Sequence, residues 1–203
     1  MSPKNATPLF CKPAAGINEM VHSEFVDSIN GTIAFKPLNL KNELPAIYKW
    51  VNMDYTLEYW QMNGHYSQLY AIYQCMEHNP YSHSFAGFFN GMLVCQFDVY
   101  SVFADELKDH IGHEDNDCGF HLLMSPNKVP VHGLTIAIVK SFLNYYFSFP
   151  EAKRMFAEPD VNNKKSIELL ERCGFEKLKT VEMSYKKAHV YVFEKYDPSQ
   201  IIE

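Results

Sequence analysis

The chain has 203 residues, 47% of them hydrophobic and 21% charged, which places it among ordinary globular domains and away from disordered, collagenous and membrane-spanning chains. Its 18 Lys and Arg stand against 24 Asp and Glu, a net charge of −6 with no basic stripe, which argues against a nucleic-acid partner. No run approaches the roughly 18 apolar residues of a membrane span, and residues 1–13 lack a basic-then-apolar signal design, so no membrane is implicated. The cysteines Cys11, Cys75, Cys95, Cys118 and Cys173 are odd in number, scattered and never in a C-x-x-C pair. That pattern argues against a disulfide framework and a zinc clip, and predicts a reduced, cytoplasmic protein.

Residues 1–31 are polar and interrupted by Pro3, Pro8, Pro13, Gly16 and Gly31, which predicts an irregular lead-in, followed by a single domain over 32–203 that opens on a strand at 32–37. Leu44, Ile47, Tyr48 and Val51, then Leu57 and Trp60, then Leu69, Ile72, Tyr73 and Met76 recur at helical spacing and predict two or three short helices. Asn90-Gly91 joins two β-rich runs, 84–89 and 92–100, as a hairpin. Beyond a polar loop at 104–117, residues 119–124 alternate, with Phe120, Leu122 and Met124 on one side and His121 and Leu123 on the other, so His121 projects from a strand. A Pro-containing turn leads at Gly133 into a helix ending near Phe147, with Leu134, Ile138, Phe142 and Tyr145 or Tyr146 on one face. A strand at 153–158 stopped by Pro159, a helix at 163–172 stopped by Gly174, and a closing strand pair at 175–183 and 189–193 complete a mixed α/β order with no internal repeat.

The block from His121 to Phe175, HLLMSPNKVPVHGLT, a helix, then AEPDVNNKKSIELLERCGF, resembles the acyl-CoA motif of the GCN5-related N-acyltransferases, the GNAT family. The resemblance implies an α/β (α+β) fold: a twisted, mostly antiparallel mixed sheet with helices on both faces, its middle strands parting near His121 and Glu158. It implies that backbone N–H groups of Val131, His132, Gly133, Leu134 and Thr135 wrap the pyrophosphate of an acyl-CoA at a helix N-terminus, where unpaired donors and the helix dipole favour an anion. Leu123 and Met124 of the preceding strand, and Asn163 and Ser166 of the second helix, would complete the cofactor site. This sequence departs from the commoner pattern at Pro130, Val131 and Thr135 of the loop, and at Leu170, where a tyrosine often serves as the acid for the departing thiolate.

Trp50-Val51-Asn52, Trp60, Asp98-Val99-Tyr100, Gly119-Phe120-His121-Leu122-Leu123 and Glu158-Pro159-Asp160 carry a narrower resemblance, to the siderophore-biosynthesis branch that acylates hydroxylysine, lysine or hydroxylated diamines. It implies His121 and Asp160 as an acid/base pair, Trp60, Asp98 and Tyr100 beside the substrate, acetyl-CoA or another short acyl-CoA as co-substrate, a small amine or hydroxylamine as acceptor, and no metal. The chemistry suits those residues. An alkyl ammonium with a free pKa near about 10.4 must lose a proton before it can attack a thioester, and a histidine has the basicity to take it. Asp160 would fix the imidazole or pair with a substrate cation, and a backbone N–H along 122–124 would stabilise the oxyanion.

Plainer readings stand beside these. His121 could be a satisfied structural histidine, Asp160 a helix cap after Pro159, and Trp50, Tyr55, Tyr59 and Trp60 core rather than channel lining. His110, His113, Glu114, Asp115 and Asp117 read as a solvated loop rather than a metal site, and Cys173 as packing. Direct transfer through a ternary complex is the expected mechanism. An aminoglycoside or protein N-terminal acetyltransferase, and a non-catalytic acyl-CoA sensor, are the rival functions. Monomer and homodimer are both compatible with the sequence.

Overall fold

The computed structural model describes residues 16–126 and 131–195. Eight strands, β1 (His22–Val26), β2 (Gly31–Pro37), β3 (Ser82–Phe89), β4 (Met92–Ser101), β5 (Cys118–Met124), β6 (Arg154–Ala157), β7 (Glu176–Glu182) and β8 (Lys187–Glu194), form one sheet. Its order is β1-β2-β3-β4-β5-β6-β8-β7, antiparallel throughout except where β6 runs parallel to β5. The helices are α1 (Leu44–Val51), α2 (Asp54–Leu57), α3 (Tyr66–His78), α4 (Leu134–Tyr146) and α5 (Lys164–Cys173).

Local chemistry sets the element ends. Asn90 at φ 48° and Gly91 at φ 77° give the left-handed pair that a two-residue hairpin needs between β3 and β4. The side chain of Asn163 caps α5 by accepting from Ser166 N at 3.1 Å, and Gly174 ends that helix at φ 94°. Aromatic and aliphatic side chains of β2–β5, Phe35, Phe85, Phe97 and Phe120 among them, pack on α4 and α5 across one face of the sheet. Leu44, Ile47, Trp50, Leu69 and Tyr73 of α1 and α3 cover the opposite face over Ala86 and Leu123. The helices therefore lie on both faces, as expected.

Two expectations need correction. The lead-in is not irregular through residue 31: His22, Glu24 and Val26 are half-buried in alternation with Ser23 and Phe25, and β1 pairs with β2 from His22↔Phe35 to Val26↔Gly31. A 3₁₀ turn at Asp27–Ile29 and a left-handed Asn30 at φ 44° reverse the chain between them. The earlier part of the lead-in, 1–15 with Cys11, lies outside the described residues. The apolar face of α4 is also wider than one stripe, because Ala137, Val139, Ser141 and Leu143 are buried as well. The helix packs on the sheet and also against α5, so more than one of its sides is covered.

The parallel ladder of β5 and β6 positions the site. It comprises Cys118↔Met155 and Gly119↔Phe156, after which β6 ends at Ala157 while β5 continues with β4 to Met124. From Phe120 onward one edge of β5 faces a gap in the middle of the sheet. At the foot of this gap Arg154 is bonded to Asp117, with Nε at 3.0 Å from Oδ1, holding the start of β6 to the chain entering β5.

Candidate active site

Antiparallel pairing sets Asp98 opposite His121 and Tyr100 opposite Gly119, all on the face covered by α1 and α3. Gly119 makes room: a Cβ there would stand 2.1 Å from Tyr100 Cζ, so only glycine lets the Tyr100 ring lie across β5. The phenol thereby reaches the far side of the gap, where its hydroxyl donates to Glu158 Oε2. His121 Nε2 lies 2.7 Å from Glu158 Oε1. Lys186, from the turn between β7 and β8, donates to the Glu158 carbonyl at 2.5 Å and stands 3.6 Å from Oε1. Glu158 is almost wholly enclosed, its side chain 1% exposed, while the His121 side chain is 42% exposed.

The electrostatics follow from these contacts. Burial works against the Glu158 charge, but His121, Lys186 and the Tyr100 hydroxyl outweigh it and hold the carboxyl down to about 2. Burial likewise works against a protonated His121, yet the charge and hydrogen bond of Glu158 prevail and raise the imidazole above its usual range. Tyr100 is driven well above the phenol range by burial and by Glu158. Behind His121, Asp98 is buried and raised by desolvation, a shift tempered by Ser84 Oγ at 2.5 Å and Tyr73 OH at 3.3 Å.

The residues expected to serve chemistry fall into three groups. His121 and Tyr100 meet at the gap, with ring centroids 5.1 Å apart, and Trp60 stands edge-to-face with His121 at 6.4 Å. Asp98 backs the imidazole from the interior, committed to Ser84 and Tyr73. Asp160 does not bond His121: its Oδ1 accepts from Asn162 N at 2.8 Å and its backbone bridges Ala188. Glu158, which the sequence marks as part of the Glu158-Pro159-Asp160 motif and of the strand parting but not as a partner of His121, holds the imidazole instead. The signal that could have found it is register, since extending the pairing of Gly119 with Phe156 by two residues sets His121 opposite Glu158.

Of the aromatic residues in α1, α2 and the turn after them, Trp50 is core, whereas Tyr55 and Tyr59 are exposed. Tyr55 OH donates to the Met124 carbonyl at 2.7 Å and ties α2 to the end of β5. Trp60 is partly buried, and its indole N–H has no hydrogen-bond partner among the described residues.

The expected cofactor residues lie at the end of the sheet where the gap opens. Leu123 and Met124 end β5, and Val131 to Thr135 lead into α4. Pro130, the first departure in that loop, lies outside the described residues. Gly133 takes φ 79° at the N-cap of α4, no side chain caps the helix, and a Cβ on Gly133 would meet only Ile29 Cγ2, at 4.0 Å. A first turn with no side-chain cap, entered through a left-handed glycine, fits a phosphate-bearing ligand. Asn163 and Ser166 are bonded to one another at the start of α5. Leu170 is buried in the core that holds α4, and its side chain carries no proton to donate.

A family model described as the acetyltransferase (GNAT) domain matches residues 39–183. The chain belongs to this family. A Schizosaccharomyces pombe protein named, by inference, a lysine N-acyltransferase is 25% identical over 83% of this chain, which spans about half (51%) of that relative's length. The N-hydroxyputrescine acetyltransferase of Acinetobacter baumannii is 22% identical over 78% of this chain and 76% of its own. Among solved structures, an uncharacterised Bacillus halodurans protein superposes with a TM-score of 0.81, at 24% identity, over 85% of this chain and 89% of its own. The aminoglycoside acetyltransferase AAC(6')-Ib, solved with coenzyme A, gives 0.73 at 18% identity over 80% and 95%. Among the described residues no helix is long and apolar enough to cross a membrane.

Proposed function

We propose that this GNAT protein transfers an acetyl or other short acyl group from coenzyme A to the nitrogen of a small lysine- or diamine-derived amine or hydroxylamine, as in the assembly of a hydroxamate siderophore. The observation that carries the reading is the position of His121, which projects from β5 into the sheet gap against an ionised carboxylate, at the end where α4 begins uncapped. The names of the lysine- and hydroxyputrescine-directed relatives support this choice of acceptor.

An acyl-CoA thioester supplies the acyl group when bound. The first turn of α4 with Gly133 receives its pyrophosphate, and the N–H groups of β5 not committed to β4 face the gap where the thioester carbonyl must lie. His121 takes a proton from the attacking nitrogen and returns it to the departing thiolate, a double duty that the buried Leu170 leaves to it. Glu158 occupies the imidazole, so of the two roles the sequence left to Asp160 we assign the second, pairing with a cationic group of the acceptor. Trp60 walls the acceptor side of His121.

The test is thiol release from acetyl-, succinyl- and longer acyl-CoA with N-hydroxylysine, hydroxyputrescine, hydroxycadaverine, lysine and an aminoglycoside, repeated with His121→Ala. Turnover of a hydroxylamine or of lysine, reduced about 100-fold or more in the variant, is the expected result. Turnover of the aminoglycoside alone would overturn the acceptor assignment. Coenzyme A binding without turnover of any amine would favour a sensor.

A further inference from the structure

We infer that Glu158 is the carboxylate partner of His121, that Tyr100 and Lys186 are positioning residues holding Glu158, and that Nδ1 is the nitrogen of His121 that exchanges a proton with the substrates. The proton-transfer part rests on the acyltransferase reading; the arrangement of the imidazole does not.

An ionised carboxylate can only accept hydrogen bonds, so the 2.7 Å contact from His121 Nε2 to Glu158 Oε1 requires Nε2 to carry hydrogen in both protonation states. The neutral imidazole then holds its lone pair on Nδ1, for which no hydrogen-bond partner occurs among the described residues. In the transfer, the attacking nitrogen gives its proton to Nδ1 as the C–N bond forms. The same proton passes from Nδ1 to sulfur as the C–S bond breaks, and Glu158 stays ionised throughout.

Glu158 cannot turn away. Oε2 accepts from Tyr100, which lies over Gly119, and Lys186 is bonded to the carbonyl of the same residue. The turn that carries Lys186 is itself held, because Ser184 N and Oγ donate to Glu106 at 2.6 and 2.7 Å. The charged and titratable groups around His121 are therefore Glu158 beyond β6, Lys186 from the β7–β8 turn, Asp98 and Tyr100 from β4, and Asp105 beside the 3₁₀ turn at Glu106–Asp109. Glu158 and Asp98 favour the protonated ring, and Lys186 opposes it.

The signs of these influences separate a working dyad from a structural contact. In the pH profile of kcat/KM, Glu158→Gln is expected to lower activity about 100-fold and to move the acidic limb to lower pH. Lys186→Met is expected to move that limb the opposite way. Asp160→Asn should raise KM and leave the limb in place. A limb that follows Asp160 and ignores Glu158 would overturn the inference. Should Glu158→Gln fail to fold, nitrogen-15 NMR of the wild-type imidazoles, with His121 assigned by difference from His121→Ala, gives the answer without turnover. Titration from low to high pH must remove the proton from Nδ1 and leave it on Nε2; the reverse tautomer refutes the dyad. A wild-type enzyme inactive on every amine but showing the Nε2–H tautomer would refute acyl transfer and leave the dyad standing.

Discussion

Replacing Gly119 by alanine tests the geometry of the gap through stability alone. The residue lies within β5 and has no left-handed backbone, so a methyl group should ordinarily help, by about 0.5–1 kcal/mol, because glycine is the more costly residue to order in a strand. Here the new Cβ falls 2.1 Å from Tyr100 Cζ and 2.2 Å from its hydroxyl oxygen, against normal carbon contacts of about 3.5–4.0 Å. The ring must retreat by roughly 1.5 Å and give up its bond to the Glu158 carboxylate. Losing a hydrogen bond to a charged group costs about 1.5–3 kcal/mol and overpacking about 1–3 kcal/mol, so Gly119→Ala should destabilise by about 3 kcal/mol net. With Tyr100→Ala as the background the obstacle is gone, and the same substitution should be neutral or stabilising by up to about 1 kcal/mol. Urea unfolding of the four proteins of this double-mutant cycle measures both numbers. Effects that add within about 0.5 kcal/mol would refute the placement of the Tyr100 ring across β5.

Two further outcomes are expected. Glu158 is held at about 2 in the folded protein, below its unfolded value, so its stabilisation is complete above about pH 4.5 and is lost as the pH falls through that interval. His121 is shifted the other way, so its contribution is complete below about pH 6.5 and is lost as the pH rises through its raised folded value. Stability measured by urea unfolding across pH should show the decline between about pH 4.5 and 2 in the wild type and a flatter profile in Glu158→Gln. Asn163→Ala should cost about 1 kcal/mol by removing the cap of α5, and Asn163→Ser should restore most of it; calorimetry of coenzyme A binding to the serine variant then separates capping from ligand contact.

Local rules made much of the fold legible. Asn90-Gly91, the cap at Asn163 and the stop at Gly174 are decided by neighbours within a few residues, and the alternation of residues 119–124 was enough to put His121 on a strand. β1 escaped because its five residues are mostly polar, and its pairing to β2 passes through a 3₁₀ turn that no hairpin dipeptide announces. In the site, His121 could be named from its motif, but its partner could not. Asp160 and Glu158 are two residues apart, and choosing between them needs the register of a parallel ladder of only two residue pairs, formed across 37 residues of sequence. The resemblance puts Tyr100 beside the substrate, whereas its bond across the gap depends on Gly119, whose value is visible only once a Cβ is imagined on it.

Among the described residues β1 and β7 end the sheet, and both ends discourage growth. β1 is five residues long. β7 presents Glu176, Lys177, Lys179 and Glu182 to solvent, and its pairing with β8 shifts register between Lys177 and Lys179, a bulge that leaves Leu178 exposed. A strand offered by another copy would have to desolvate those lysines and follow a kinked backbone, both of which oppose edge-to-edge polymerisation. Replacing the two lysines with threonine or valine would remove the charge while keeping the β-propensity, and so convert a self-limiting sheet into one prone to form aggregates.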